Sequence, residues 1–133
     1  MMSSPSKPAG AKLRNAKTMI RGQEYKVDFL YQEKSKFPDA ITGEIAIKTI
    51  AVFKDLETFV FYVYLCKDYD NKEPEFVNQL NSDINEGKNI RVVYYGSIGN
   101  YNVTKLLLDG EELNQTTLAG VAAIESNRPG PSN

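Results

Sequence analysis

The sequence predicts a mainly β domain of five strands, with one helix between the third strand and the fourth. Apolar and polar residues alternate in the segments that we assign to strands, and apolar residues recur at helical spacing in a single convincing segment. A chain of 133 residues corresponds to about one domain. We assign this domain to residues 19–113 and expect flexible segments at 1–18 and 114–133.

The first three predicted strands are joined by one long loop and one short turn. "MIRGQEYKVDFLYQ" predicts a long first strand with a bend or bulge at Gly22. "EKSKFPDAITG" has turn residues, and "EIAIKTIAVF" is a second strand that "KDLE" connects to a third, "ETFVFYVYL". The third strand is apolar on both faces. We expect the bulkier face to point inward and the other face, with Tyr62 and Tyr64, to point outward. The residues assigned to the interior are Phe59, Phe61, Val63 and Leu65, together with Val27, Phe29, Ile45 and Ile47.

The remaining elements are one helix and two strands. Pro74 suits a first helical position, Phe76, Leu80 and Ile84 fall on one stripe, and Gly87 suits the end of the helix. "NIRVVYYG" and "YNVTKLLLDG" then form a fourth and a fifth strand around the turn "SIGN". The register of Tyr94 follows Ile90 and therefore favours the core.

Both ends of the chain differ in composition from the middle. The first 23 residues contain five basic and no acidic side chains, so the rest of the chain carries a net charge of −6 within a total of −1. Such a basic arm is typical of contact with nucleic acid or an acidic neighbour, and equally of a solubilising tail. Its basic residues are Lys7, Lys12, Arg14, Lys17 and Arg21. The apolar stretch 118–124 allows a short docked helix, but a frayed tail is favoured.

Several classes of chemistry are disfavoured by composition. The chain has no histidine and one cysteine, which removes the usual zinc sites and the Ser-His and Cys-His nucleophile pairs. "KDYDNKEPE" lacks the glycine and the final glutamate of a calcium loop, and "GSIGNYNV" lacks the lysine of a phosphate loop. We therefore expect a non-enzymatic protein without cofactor or metal. Without a membrane span or signal peptide in the sequence, we expect it in the cytoplasm, away from membranes.

Five strands with a helix before the fourth follow the element order of the OB-fold, a partly open Greek-key barrel. With this order and "EGKNIRVVYYGSIGNYNVTKLLLDGEEL", the chain resembles OB-fold single-stranded DNA-binding proteins. The resemblance covers residues 19–113 and is greatest to the small, divergent members encoded by phages and conjugative plasmids of Gram-positive bacteria. The chain ends "NRPGPSN" and lacks the acidic tail with which the bacterial housekeeping form recruits replication partners.

The resemblance implies a ligand on the outer face of the second and third strands, between the loops that flank it. We expect Tyr62 and Tyr64 to stack on bases beside Lys48, with a basic track formed by Lys48, Arg91 and Lys105. Further binding residues are expected in the flanking loops and nearby strands: Lys34, Lys36, Phe37, Tyr95 and Tyr101. The alternatives are ordinary sheet-surface packing for the tyrosine pair and a plug of the barrel end for Phe37.

The function expected from these features is sequence-independent coating or protection of single-stranded DNA in replication or DNA transfer. The sequence does not separate DNA from RNA. The basic arm is expected to add phosphate contacts or to link protomers by self-association. The alternative is a small β-barrel adaptor or a structural component of a phage or plasmid, because the body is acidic whereas DNA binders are often basic.

Overall fold

The computed structural model describes residues 12–54, 60–99 and 101–126, which form seven strands and two α-helices. The mainly β class predicted from the sequence is confirmed. In chain order the elements are β1 (Lys12–Leu13), β2 (Glu24–Lys26), β3 (Phe29–Lys34), β4 (Ile47–Lys54), β5 (Val60–Tyr64), α1 (Pro74–Asn85), β6 (Arg91–Ile98), β7 (Tyr101–Leu107) and α2 (Gln115–Ser126).

The described strands form two sheets and no closed barrel. One sheet has the order β1-β5-β4-β3 and the other β2-β6-β7. The predicted first strand is divided between them, since β2 pairs with β6 whereas β3 pairs with β4. At the division, the Val27 amide donates to the Ile90 carbonyl at 2.9 Å and the Asp28 amide donates to the Val52 carbonyl at 2.7 Å. The chain thus passes from one sheet to the other within two residues.

The main core lies between the sheets and is closed by α1. It contains Leu30, Val63 and Val92 from the strands and Val77 and Leu80 from the helix. The Asn81 side chain accepts from the Leu30 amide at 2.8 Å and donates to the Leu30 carbonyl at 2.9 Å, which satisfies the edge of β3. The predicted α1 helix is confirmed, with Pro74 in its first turn. Tyr94 is in the core, as predicted.

The predicted division of residues between the two faces is partly wrong. Phe61, Val63 and Leu65 pack in the main core as expected, and Phe59 lies outside the described residues. Ile45 and Ile47 are exposed instead, because residues 43–46 still belong to the loop and β4 begins only at Ile47. Phe29 packs on the outer face beside Tyr31 and Tyr62, since the break at Asp28 leaves Leu30 to fill the interior.

The predicted flexible segments differ from the structure on both sides of the domain. Residues 12–18 form β1 and a short 3-10 turn, in which Ala16 is buried. The predicted tail is wrong for residues 115–126, which form α2 on the outside of β6. Val121 and Leu118 cover Val93 and Tyr95 there, so the weak apolar stretch has a surface to bury.

Gly96 is required where α2 crosses a bulge in β6. Its φ is +130°, which L side chains rarely adopt, and a Cβ there would lie 2.8 Å from Val121 Cγ1. We expect Gly96→Ala to lower the free energy of unfolding by about 2 kcal/mol through backbone strain and overpacking. Gly99→Ala is the control, because its φ is also positive, at +62°, but no atom of the described residues lies within 4 Å of the added Cβ. Urea unfolding checks this, and equal losses in the two variants would contradict it.

Candidate functional site

A cleft of about 530 Å³ lies between the outer face of β4 and β5 and the loop formed by residues 35–46. We call it the tyrosine cleft. Its aromatic and apolar lining comes from Leu13, Phe37, Ala46, Tyr62 and Tyr64. Its charged lining is balanced, with three basic residues, Lys36, Lys48 and Lys67, and three acidic ones, Asp39, Glu44 and Asp70. The structure therefore brings five of the predicted binding residues together: Lys36, Phe37, Lys48, Tyr62 and Tyr64.

Strand register fixes the two tyrosines side by side. Tyr64 lies opposite Ile50 and Tyr62 opposite Val52, and both rings rest on these fully buried side chains. The ring centroids of the two tyrosines are 6.1 Å apart in an edge-to-face arrangement. Both residues are half-buried. The two tyrosines therefore cover an apolar sheet surface with one part of each ring and expose the remaining part to the cleft.

Tyr31 lies beneath this aromatic face with its hydroxyl buried. Within residues 12–54, 60–99 and 101–126 the hydroxyl has no hydrogen-bond partner, and burial raises the pKa of Tyr31 above its usual value of 10.0. Burial also raises the pKa of the neighbouring Tyr64. A buried polar group without a partner costs free energy, so the outer aromatic cluster has one destabilising group at its centre.

We expect Tyr31→Phe to raise the free energy of unfolding by about 1 kcal/mol, because it removes the unpaired hydroxyl and keeps the ring. Tyr69→Phe is the matched control. The Tyr69 hydroxyl accepts from the Leu106 amide at 2.9 Å, so its removal should be destabilising by about 1 kcal/mol. Chemical denaturation of both variants tests the difference in sign, and a loss of stability in Tyr31→Phe would contradict it.

The loop that forms one wall of the cleft is held by its own hydrogen bonds. The Ser35 amide donates to the Ala46 carbonyl and the Asp39 amide to the Glu44 carbonyl, both at 2.8 Å. The Asp39 carboxylate accepts from the amides of Thr42 and Ile41, which lowers its pKa. Phe37 is 79% exposed, so it does not plug an interior. The loop instead presents Phe37 to the cleft on a defined backbone.

The cations of the cleft differ in how they are paired. Lys48 Nζ lies 2.7 Å from the Asp70 carboxylate, and both side chains are largely buried. No carboxylate lies within ion-pair distance of Lys36 or Lys67 in the part of the chain that the structure describes. Two positive charges near the cleft are therefore available to an anionic ligand, while Lys48 already has a counterion.

The predicted basic track across the body is wrong, because its outer members are paired in the second sheet. Arg91 is buried, lies 2.6 Å from Glu24 and donates to the carbonyls of Asn89, Leu108 and Glu111. Lys105 forms an ion pair with Asp68, which lowers the pKa of Asp68 and raises that of Lys105. The sequence analysis predicted neither of these carboxylate partners.

Tyr95, Tyr101 and Lys34 also lie outside the cleft. Tyr95 is buried under α2, and its hydroxyl accepts from the Asn114 amide at 3.1 Å. Tyr101 packs against the same cluster, beside Asp68, and burial raises its pKa. Lys34 is exposed at the end of β3 and is not part of the cleft lining. The rings of Tyr95 and Tyr101 thus pack in the second sheet, and the structure does not bring them beside Tyr62.

The basic arm is divided in the same way. Lys7 lies outside the described residues, whereas Lys12 and Lys17 are exposed. The Arg14 guanidinium lies over the rings of Tyr25, at 5.4 Å, and Phe61, at 5.7 Å. Arg21 forms an ion pair with Glu125 of α2. Arg14 and Arg21 therefore contact neighbouring elements of the domain.

Seven of the twelve lining residues were not among the predicted binding residues, and two of these, Lys67 and Leu13, add a cation and a large apolar side chain to the cleft. Lys67 lies in a 3-10 turn just after β5, and its position directly after a strand with outward tyrosines was an available signal. Leu13 reaches the cleft because β1 pairs with β5 in parallel, with Leu13 beside Tyr62. No local pattern marks this pairing.

Comparisons with known proteins add no relative. No family model, no curated protein and no solved structure matches the chain. Among the described residues, no group of three or more cysteine, aspartate or glutamate residues is arranged to hold a metal ion. The helices in this part of the chain are too short or too polar to cross a membrane.

Proposed function

We propose that the protein binds single-stranded nucleic acid without sequence specificity, with single-stranded DNA in the tyrosine cleft. The observation that supports this most is the convergence of Tyr62, Tyr64 and Phe37 with Lys36 and Lys67 in one cleft. Stacking of a base on an aromatic ring contributes about 1–3 kcal/mol and does not depend on base identity. The two lysines without ion pairs are then available to phosphates.

The strand order supports an OB-type arrangement for this function. We interpret β2 and β3 as the two halves of a bent first strand, β4 and β5 as the second and third, and β6 and β7 as the last two. α1 then lies between the third and fourth strands. Between the sheets, the Cys66 amide donates to Thr104 Oγ1 at 2.9 Å, which fits the partly open barrel of the OB-fold. Its usual ligand face corresponds to the outer surface of β4 and β5.

The cleft chemistry predicts weak dependence on salt. Three carboxylates lie in the cleft with its three lysines, and one lysine is already paired. If about two phosphates are neutralised, the affinity for a single strand should fall with a logarithmic salt slope of about −1.4. A basic groove that neutralises more phosphates would give a steeper slope, so the measured slope distinguishes it from a cleft that binds mainly by stacking.

The test is fluorescence anisotropy with labelled oligo-dT and the same length of duplex over a salt series. We expect preference for the single strand and the shallow slope. Equal binding of duplex and single strand, or no binding of either, would contradict the proposed function. An RNA oligonucleotide in the same series separates DNA from RNA preference. A role in replication or DNA transfer, and self-association through the N-terminal arm, remain predictions.

A second candidate is a protein-interaction adaptor, favoured by the exposed loop. Phe37 is 79%, Ile41 94% and Ile45 55% exposed, which places three large apolar side chains on one loop. Exposed apolar groups gathered in this way are typical of protein contacts. Size-exclusion chromatography of a complex before and after nuclease treatment separates the candidates, because an adaptor keeps its partner when nucleic acid is destroyed.

A further inference from the structure

The tyrosine cleft has a second chemical character that nucleic acid does not use. Glu44 is exposed on the wall of the cleft and Asp39 follows Phe37 in the same loop, with neither carboxylate in an ion pair among the described residues. Carboxylates repel phosphate, so this end of the cleft favours a neutral or basic occupant. Aromatic grooves bordered in this way suit extended proline-rich segments, which lose little conformational entropy on binding.

The chain has such a segment close in sequence to Leu13, which lines the cleft. Residues 1–11 read "MMSSPSKPAGA" and lie outside the described part of the chain. Pro5 and Pro8 are three residues apart, the repeat of a polyproline II helix, and Lys7 lies between them. The segment is uncharged or basic throughout, which complements Asp39 and Glu44.

We propose that the tyrosine cleft binds the Pro5–Pro8 segment of its own chain, which thereby competes with external ligands. The tether is short, because Leu13 lines the cleft and only four residues separate Pro8 from it. Five residue steps span up to about 17 Å, enough to reverse direction at Gly10 and reach the tyrosines. A tether of this length gives an effective concentration in roughly the millimolar range, so a modest affinity is enough to fill the cleft.

Binding of the Pro5–Pro8 segment is inferred from the chemistry of the cleft alone, whereas competition of this segment with DNA rests on the proposed function. The experiment therefore measures the two separately. The receptor is the full chain carrying Pro5→Ala and Pro8→Ala, because these changes should weaken binding of its own N-terminal segment to the cleft. Aromatic NMR spectra are recorded while a synthetic peptide of residues 1–11 is added. We expect shifts of the Tyr62 and Tyr64 rings, and none with a peptide that carries the same two alanines.

A charge variant tests the acidic wall. Asp39→Asn with Glu44→Gln in the same receptor should weaken the peptide by about threefold or more, since two favourable charges are lost. The asparagine side chain keeps an oxygen for the loop amides, so the wall should retain its shape. The same variant should strengthen oligo-dT binding, because it removes repulsion of phosphate. We therefore expect the affinity for the peptide to fall and the affinity for oligo-dT to rise. A change of both affinities in the same direction would contradict the proposed role of the two carboxylates.

The effect on DNA is measured with full-length chains. Pro5→Ala with Pro8→Ala should bind oligo-dT about threefold to tenfold more tightly than the native chain, because the free fraction of the cleft rises. Pro129→Ala with Pro131→Ala, at the other end of the chain, is the control and should change nothing.

The outcomes separate the claims. Absence of Tyr62 and Tyr64 shifts on peptide addition overturns the inference, even if oligo-dT binds well. Peptide shifts without oligo-dT binding support capture and overturn the proposed function. An oligo-dT gain that vanishes when the protein is diluted assigns the segment to a second copy and overturns the intramolecular arrangement.

Discussion

Replacement of Tyr62 and Tyr64 by leucine is expected to weaken oligo-dT binding by about thirtyfold. The variant loses two stacking surfaces, each worth at least about 1 kcal/mol, and 1.4 kcal/mol corresponds to a factor of about ten. Leucine is chosen over alanine because both rings also cover Ile50 and Val52, which are fully buried. An apolar side chain keeps much of this cover, so the midpoint of thermal unfolding should fall only slightly.

The matched control is Tyr62→Phe with Tyr64→Phe. It keeps both aromatic faces and removes only the hydroxyls, so the affinity for oligo-dT should stay close to that of the native chain. Anisotropy titrations at one salt concentration measure both variants. If the leucine variant binds oligo-dT with native affinity, stacking on these two rings does not contribute to binding. A large loss of affinity in the phenylalanine variant would show that the hydroxyls make the important contacts.

Arg91→Ala is expected to lower the free energy of unfolding by about 3 kcal/mol. The guanidinium is buried and joins Glu24 to the carbonyls of Leu108 and Glu111. Removal of one partner of a buried pair is strongly destabilising, and the half-exposed position of Glu24 reduces the loss to the lower end of the usual range. Urea unfolding gives the value.

The same variant separates structure from binding. Because Arg91 belongs to the second sheet, the folded fraction should bind oligo-dT with native affinity. Lys26→Ala is a suitable control, since Lys26 is an exposed residue that pairs with Arg91 in the register of β2 and β6. If Arg91→Ala keeps its stability but no longer binds oligo-dT, Arg91 belongs to the binding surface, as the sequence analysis predicted.

Local patterns predicted the elements better than their contacts. Alternation located β4 to β7, and the spacing of Phe76 and Leu80 with Pro74 located α1. The break at Asp28 was not predicted, because it depends on pairing with Ile90 and Val52, which are distant in sequence. α2 was missed for a similar reason. Its weak apolar stretch gains stability only by packing on the second sheet, where it completes the buried cluster around Val93.

For the site, strand alternation correctly grouped Tyr62 and Tyr64 with Lys48, since residues two apart share a face of a sheet. It failed for Arg91 and Lys105, where the sequence shows an outward cation but not the carboxylate that binds it. Glu24 and Asp68 are 67 and 37 residues away from these partners. Such pairs depend on the tertiary fold, so a basic track inferred from register alone was not reliable.

The most direct test of the central claim is an aromatic NMR titration of the native chain with oligo-dT. If bases stack in the tyrosine cleft, the ring resonances of Tyr62 and Tyr64 should shift with the bound fraction, while those of Tyr95 and Tyr69 should not. Saturation with oligo-dT that leaves Tyr62 and Tyr64 unmoved, or that moves only rings of β6 and β7, would contradict the account.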